Sequence, residues 1–72
     1  MTLTAYKDGI RYRFVLETDG RLYYYPRHGD TIFDPELFNG EDYSEWDSIR
    51  IRFMLTNEGF QNVTVDERLS LH

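Results

Sequence analysis

Ile10-Arg11-Tyr12-Arg13-Phe14-Val15-Leu16-Glu17-Thr18-Asp19-Gly20-Arg21-Leu22-Tyr23-Tyr24-Tyr25 is the run that decides the fold class. Ile10, Tyr12, Phe14 and Leu16 alternate with Arg11, Arg13, Val15 and Glu17, the period-two pattern of a strand with one apolar face. Asp19-Gly20 follows, and Asp-Gly supplies the positive φ angles of a type I′ hairpin turn. The return strand spans Arg21 to Tyr25 and is expected to stop at Pro26, which has no N–H to donate to a ladder. Leu22 and Tyr24 then join the core face, and Tyr23 and Tyr25 stand on the other. Asp8-Gly9 reads as a second such turn, which makes Thr2 to Lys7 a further strand.

Working outward, Ser48 to Leu55 also alternates. Ile49, Ile51, Phe53 and Leu55 fall on one side, and Arg50, Arg52 and Met54 on the other. The segment is therefore expected as a strand, with a hairpin at Asn57-Glu58-Gly59 and a last strand from Phe60 to Val65. Asp34-Pro35-Glu36-Leu37-Phe38-Asn39-Gly40 reads as a short helix near 34–39. Asp34 is its N-cap, Pro35 its first position and Asn39-Gly40 its stop. Ser44 to Asp47 reads as a second turn with Asp47 in a capping role. The expected architecture is one α+β domain over 1–72: an antiparallel sheet of three to five strands with one short helix.

Charge is uneven along the chain. The 72 residues hold 13 Asp+Glu and 8 Lys+Arg, for a net charge of −5. From Asp30 to Asp47 there are seven carboxylates and no Lys or Arg, so the remaining 54 residues sum to +2. An acidic balance argues against a nucleic-acid binder, which normally shows a basic excess. Ile32, Phe33, Leu37, Phe38, Tyr43 and Trp46 are interleaved with the acids. Carboxylates among large apolar groups have the composition of an interaction surface.

Several function classes fall away. No run of 18 apolar residues exists, so no spanning helix is expected. Met1 to Asp8 lacks the apolar stretch of a signal peptide, which leads to a cytoplasmic expectation. With no Cys there is no disulfide and no thiolate zinc site, so a small chain is expected to gain stability from a partner. The histidines are His28, in a polar loop, and His72, the last residue. Glu41, Asp42 and Asp47 lack EF-hand spacing, and no glycine-rich loop opens a helix. The chain is expected to be neither an enzyme nor a holder of metal or cofactor. Tyr23 and Tyr25 with Arg50 and Arg52 raise a competing single-strand-binding reading. The arginines equally fit cross-strand pairing with carboxylates such as Glu17.

The run Arg13 to Tyr25 is similar to the hairpin of the small dimeric phage inhibitors of uracil-DNA glycosylase. In that family a hairpin with an acidic turn leads through Gly and a basic residue to paired tyrosines. A short basic stretch ending in Gly follows, here Arg27-His28-Gly29. Next come an Asp-x-Glu helix ending near Gly, here Asp34, Glu36 and Gly40, and a basic-x-basic strand, here Ile49 to Phe53. The resemblance covers roughly Arg11 to Leu55. It implies a homodimeric DNA mimic in the host cytoplasm that blocks the DNA-binding groove of the glycosylase, an enzyme that flips a base out of the duplex. Asp34, Glu36, Glu41, Asp42 and Glu45 would imitate phosphates. In the family, helix aromatics from both subunits receive the enzyme's inserted apolar side chain. This chain has Pro35 where a family Phe follows the helix Asp, which passes that role to Phe33 or Phe38, with Leu37 nearby; Tyr25, on the outer face of its strand, is a further candidate contact residue. The alternative expectation is an acidic protein that blocks another nucleic-acid-binding host protein: a CRISPR effector, a nucleoid protein or RNA polymerase.

Overall fold

The computed structural model describes residues 1–28, 31–32 and 34–66. Six strands and one helix follow in the order β1 (Thr2–Lys7), β2 (Ile10–Leu16), β3 (Leu22–His28), β4 (Thr31–Ile32), β5 (Glu36–Leu37), α1 (Ser48–Asn57) and β6 (Gln61–Val65). The strands form one antiparallel sheet in the order β4-β3-β2-β1-β6, with β5 also paired to β3. The fold is α+β, an antiparallel sheet with one short helix.

The alternation of the opening hairpin is realised. Phe14 lies opposite Leu3 on one side and Tyr24 on the other, so inward residues stack across three strands. Leu3, Ala5, Phe14 and Leu22 are fully buried on that face. The opposite face carries Thr4, Tyr6, Arg11, Arg13, Tyr23 and Tyr25, which are neighbours through the same register.

The turns differ in kind. Asp8 and Gly9 both have positive φ, as a type I′ turn requires. At the second hairpin only Gly20 is left-handed, at φ 88°. Gly20 N donates to Glu17 O and Glu17 N to Arg21 O, so this turn is a type I turn closed by a glycine bulge, not the expected I′. β3 also runs past Pro26 to His28. Tyr25 and Pro26 lie between the stretches of β3 that pair with β5 and β4, so the missing N–H sits where the outer ladder is interrupted.

Two expected elements exchange character. The segment near 34–39 is not a helix: Glu36 and Leu37 pair with Tyr24 and Tyr23, and Phe38 N donates to Leu22 O. A helix of about one turn closes few hydrogen bonds for the residues it orders. The open edge of β3 offers this segment ladder bonds instead.

Ser48–Asn57, expected as a strand, is the helix. The Asp47 carboxylate caps it by accepting from Arg50 N at 2.8 Å. Gly59, at φ 100°, stops it: its N–H bonds Thr56 O while Phe60 N bonds Leu55 O, the paired bonds of a Schellman stop. The expected Asn57–Gly59 hairpin is this stop. A sheet with one apolar face needs a covering layer, and α1 supplies it through Ile51, Leu55 and the half-buried Met54. A strand at 48–55 would have left Leu3, Phe14 and Leu22 uncovered.

Candidate functional site

The acidic segment is tied to the sheet by short polar links. Asn39 Oδ1 accepts from Glu41 N at 3.1 Å and from the Tyr43 hydroxyl at 2.8 Å. Asp42 Oδ1 accepts from Ser44 N at 2.9 Å, a side-chain-closed turn. Tyr43 N donates to Gly20 O, which fastens the loop to the β2–β3 turn. Tyr43 itself is the anchor. It is 1% exposed, its burial raises the phenol above its ordinary value, and Trp46 packs against it with ring centres 4.8 Å apart. Arg50 then covers the Trp46 ring at 4.0 Å, which joins the loop to α1. Gly20 is required here by space as well as by φ, because a side chain would meet the Asp42 carboxylate and Ser44.

This anchoring holds Glu41, Asp42 and Glu45 at the surface, and β5 pairing places Glu36 beside Tyr24. Asp34, Glu36, Glu41, Asp42 and Glu45 are all exposed. Among the described residues the ion pair is Arg21 with Asp19, at 3.8 Å, and none of these five carboxylates has a Lys or Arg partner. Two of them have neutral donors as partners. Tyr24 donates its hydroxyl to Glu36 at 2.8 Å, a bond that raises the Tyr24 phenol above its usual value. The Ser44 N–H, followed by the Ser44 hydroxyl, holds the Asp42 carboxyl below its usual value. Among the described residues no three His, Cys, Asp or Glu side chains converge as a metal site. The acids are spread along the segment and exposed.

Two hollows flank the segment. One lies on the outer sheet face, about 410 Å³, walled by Tyr23, Tyr25, Pro35 and Thr18 and rimmed by Glu17 and Asp19. Leu37, 45% exposed, is the ladder partner of Tyr23. The other lies on the inner face, about 390 Å³, between Tyr12, Tyr24, Phe38 and Phe60. Lys7 reaches across it, with its ammonium 5.1 Å above the Phe60 ring and bonded to Glu58 O. Asp8 and Glu58 line this hollow beside Lys7, so it too carries acidic groups. The outer hollow has an acidic rim.

The structure joins most of the sequence-based candidates. Asp34, Glu36, Leu37, Glu41, Asp42 and Glu45 share one exposed, anchored segment, and Tyr25 lines the outer hollow. Phe33 and Asp30 lie outside the described residues. Phe38 lies apart from the outer hollow: its ring packs edge-on against Phe14 and Tyr24 in the aromatic layer of the inner face, where it lines the inner hollow. Glu17, Asp19, Tyr23 and Pro35 complete the hollow; Tyr23 was a candidate only in the single-strand reading, and the other three were not candidate contact residues. Tyr23 carried a usable signal, since strand alternation places it outward with Tyr25. Pro35 had none, because its position depends on β5 pairing with β3.

The competing single-strand set is dispersed. Tyr23 and Tyr25 stand on the outer sheet face, whereas Arg50 and Arg52 ride on α1, and Arg50 is engaged with Trp46. Pairing of Arg11 and Arg13 with Glu17 is not formed among the described residues: Arg11 lies opposite Tyr6 and Arg27, and Arg13 opposite Thr4 and Tyr25. No helix is long and apolar enough to cross a membrane among the described residues. Comparison with protein-family models, with curated proteins and with solved structures found no match for this chain.

Proposed function

We propose that this chain is a DNA mimic that occupies the basic DNA-binding groove of another protein, with uracil-DNA glycosylase as the first target. The observation that carries the reading is the row Asp34, Glu36, Glu41, Asp42 and Glu45, exposed and without a cationic partner among the described residues. Carboxylates left unpaired within the chain remain available to lysines and arginines that normally hold phosphates. The similarity of the Arg13–Tyr25 hairpin to that of the phage inhibitors directs the reading to the glycosylase, although the helix at 34–40 and the strand at 49–53 that the resemblance implies are replaced by β5 and α1.

Pre-ordering supports the same reading. The loop is fastened by Tyr43, Gly20, Asn39 and Trp46 before any partner arrives, so little ordering entropy is lost on docking. The hollow of Tyr23, Tyr25 and Pro35, with Leu37 beside it, would receive the side chain the enzyme pushes into DNA. Apolar anchors in that hollow would set the lifetime of the complex, and the acids its rate of formation and its salt dependence.

The test is cleavage of a uracil-containing oligonucleotide by the glycosylase with rising amounts of the chain. Inhibition that weakens with salt is expected, and Asp34→Asn with Glu41→Gln, Asp42→Asn and Glu45→Gln should slow association at least about tenfold. Undiminished cleavage at excess chain excludes the glycosylase as target. Capture of a different DNA-binding protein, lost on the same neutralisation, would keep mimicry and change the target.

A further inference from the structure

Five aromatic rings meet on the inner face of the sheet. Tyr12, Tyr24, Phe38 and Phe60 follow one another in a closed circuit, with successive ring centres 5.9, 6.0, 6.4 and 5.2 Å apart. Phe14 touches all four, with ring centres 5.1 to 6.4 Å away, and is fully buried, so it closes the bottom of the circuit. The walls come from β2, β3, the residue after β5 and the residue before β6, so only the tertiary fold assembles them. They line the inner hollow of about 390 Å³, a volume within the range of small-molecule pockets.

Ordinary core packing would bury all the rings, yet Tyr12, Tyr24 and Phe38 remain half-exposed. Charged groups stand around them. Lys7 holds its ammonium 5.1 Å above the Phe60 ring and donates to Glu58 O at 3.0 Å. Asp8 and Glu58 line the same hollow, and the Tyr24 hydroxyl donates to Glu36. An ammonium is therefore already held against the rings by one of their faces. It stays at the mouth because its three N–H groups need acceptors, which Glu58 O supplies and the ring faces do not.

We infer that this aromatic box binds a methylated ammonium group of the choline type, and that Lys7 occupies its mouth while the ligand is absent. A methylated ammonium spreads its charge over apolar methyl groups and has no N–H to leave unpaired, so it can enter among the rings where Lys7 stops. The ring faces attract the cation, and Asp8, Glu58 and Glu36 add a negative field. A neutral ligand would gain contact area alone. An anion would meet ring faces and three carboxylates, against the single charge of Lys7.

The site does not rest on DNA mimicry. That reading uses the acidic segment and the outer hollow, whereas the box lies on the inner face and shares only Glu36 with it. Failure of glycosylase inhibition leaves a choline result standing.

Titration of the full chain with choline, followed through the Tyr12 and Tyr24 ring signals by NMR, tests the box. Saturable binding is expected, with the ligand's methyl protons shifted upfield by the surrounding rings. The neutral carbon isostere, in which a tert-butyl group replaces the trimethylammonium, should bind at least about tenfold more weakly. This comparison uses the unaltered chain, so it does not depend on the folding of a variant. Lys7→Gln should tighten choline at least about threefold, because a like charge leaves the mouth. Phe38→Leu should weaken it by about tenfold, because an apolar side chain without a ring face replaces one wall. Flotation with phosphatidylcholine vesicles would place the group on a lipid, and choline binding without flotation would place it on a free solute. Absence of saturable choline binding by both wild type and Lys7→Gln overturns the inference, as does equal affinity for the neutral isostere. Lys7→Gln binding no more tightly than wild type overturns the role of Lys7 as occupant.

Discussion

The β3 edge and the β6 edge solve the exposed-strand problem in opposite ways. At the β3 edge the ladder is closed by two short strands, β4 and β5, with a break between them, and the surface is filled with carboxylates. At the β6 edge a single uncharged strand lies beside a helix that exposes Phe53. The first arrangement repels its own copy and attracts cations at long range. The second is indifferent to charge and acts at short range through apolar contact. One small sheet thus carries two edges of different chemistry, one charged and acting by field, the other apolar and acting at contact range.

That comparison breaks most visibly at Tyr43, the anchor of the acidic edge. Tyr43→Ala should cost about 3–5 kcal/mol in urea unfolding, the usual loss for a buried aromatic. If the variant instead loses less than Leu55→Ala under α1, the acidic loop contributes little to the fold and the two edges are not equal partners in it. Gly20→Ala comes next, at about 1–3 kcal/mol, because left-handed φ and the Asp42 and Ser44 contacts act together. Hydrogen exchange should show the loss concentrated at residues 39–47. Uniform exchange across β6 as well would mean that the edges are coupled.

Asp47→Ala sharpens the boundary between the two surfaces, since Asp47 ends the acidic segment and caps the helix. The expected cost is about 1 kcal/mol, with helicity lost first at the start of α1. The smallest effect belongs to Asp42. Its folded carboxyl titrates below its unfolded one, so the ionised form favours the folded state. This contribution is complete above the ordinary carboxylate range and is lost as pH falls through the folded value. Asp42→Asn should therefore differ from wild type at neutral pH and converge with it on acidification, with Trp46 fluorescence as the reporter. A difference that does not change with pH would show that the charge of Asp42 does not hold the loop.

Much of the sheet was legible because period-two alternation is a local signal. Ile10 to Tyr25 and Thr2 to Lys7 state their faces and turns within a few residues. The acidic surface was legible for a similar reason: seven carboxylates without a counter-ion are a count along the chain, and exposure follows from the cost of burying charge. The outer hollow was only half legible, with Tyr23 and Tyr25 readable and Pro35 not.

The exchange between 34–39 and 48–57 marks where local reading ends. Ile49, Ile51, Phe53 and Leu55 alternate as a strand would, yet Ile51, Met54 and Leu55 also fit one helical face. Local pattern admits both. The apolar face of the sheet needs a cover, and the open edge of β3 needs a strand, so tertiary demand assigns helix to one segment and ladder to the other. The sequence by itself determined an α+β chain with an unneutralised acidic surface, because alternation, turn residues and charge act over short distances. Only the tertiary structure decided which segment is helix, where Phe38 points and that Ile49 and Phe53 are left outside, because those follow from which surfaces remain to be covered.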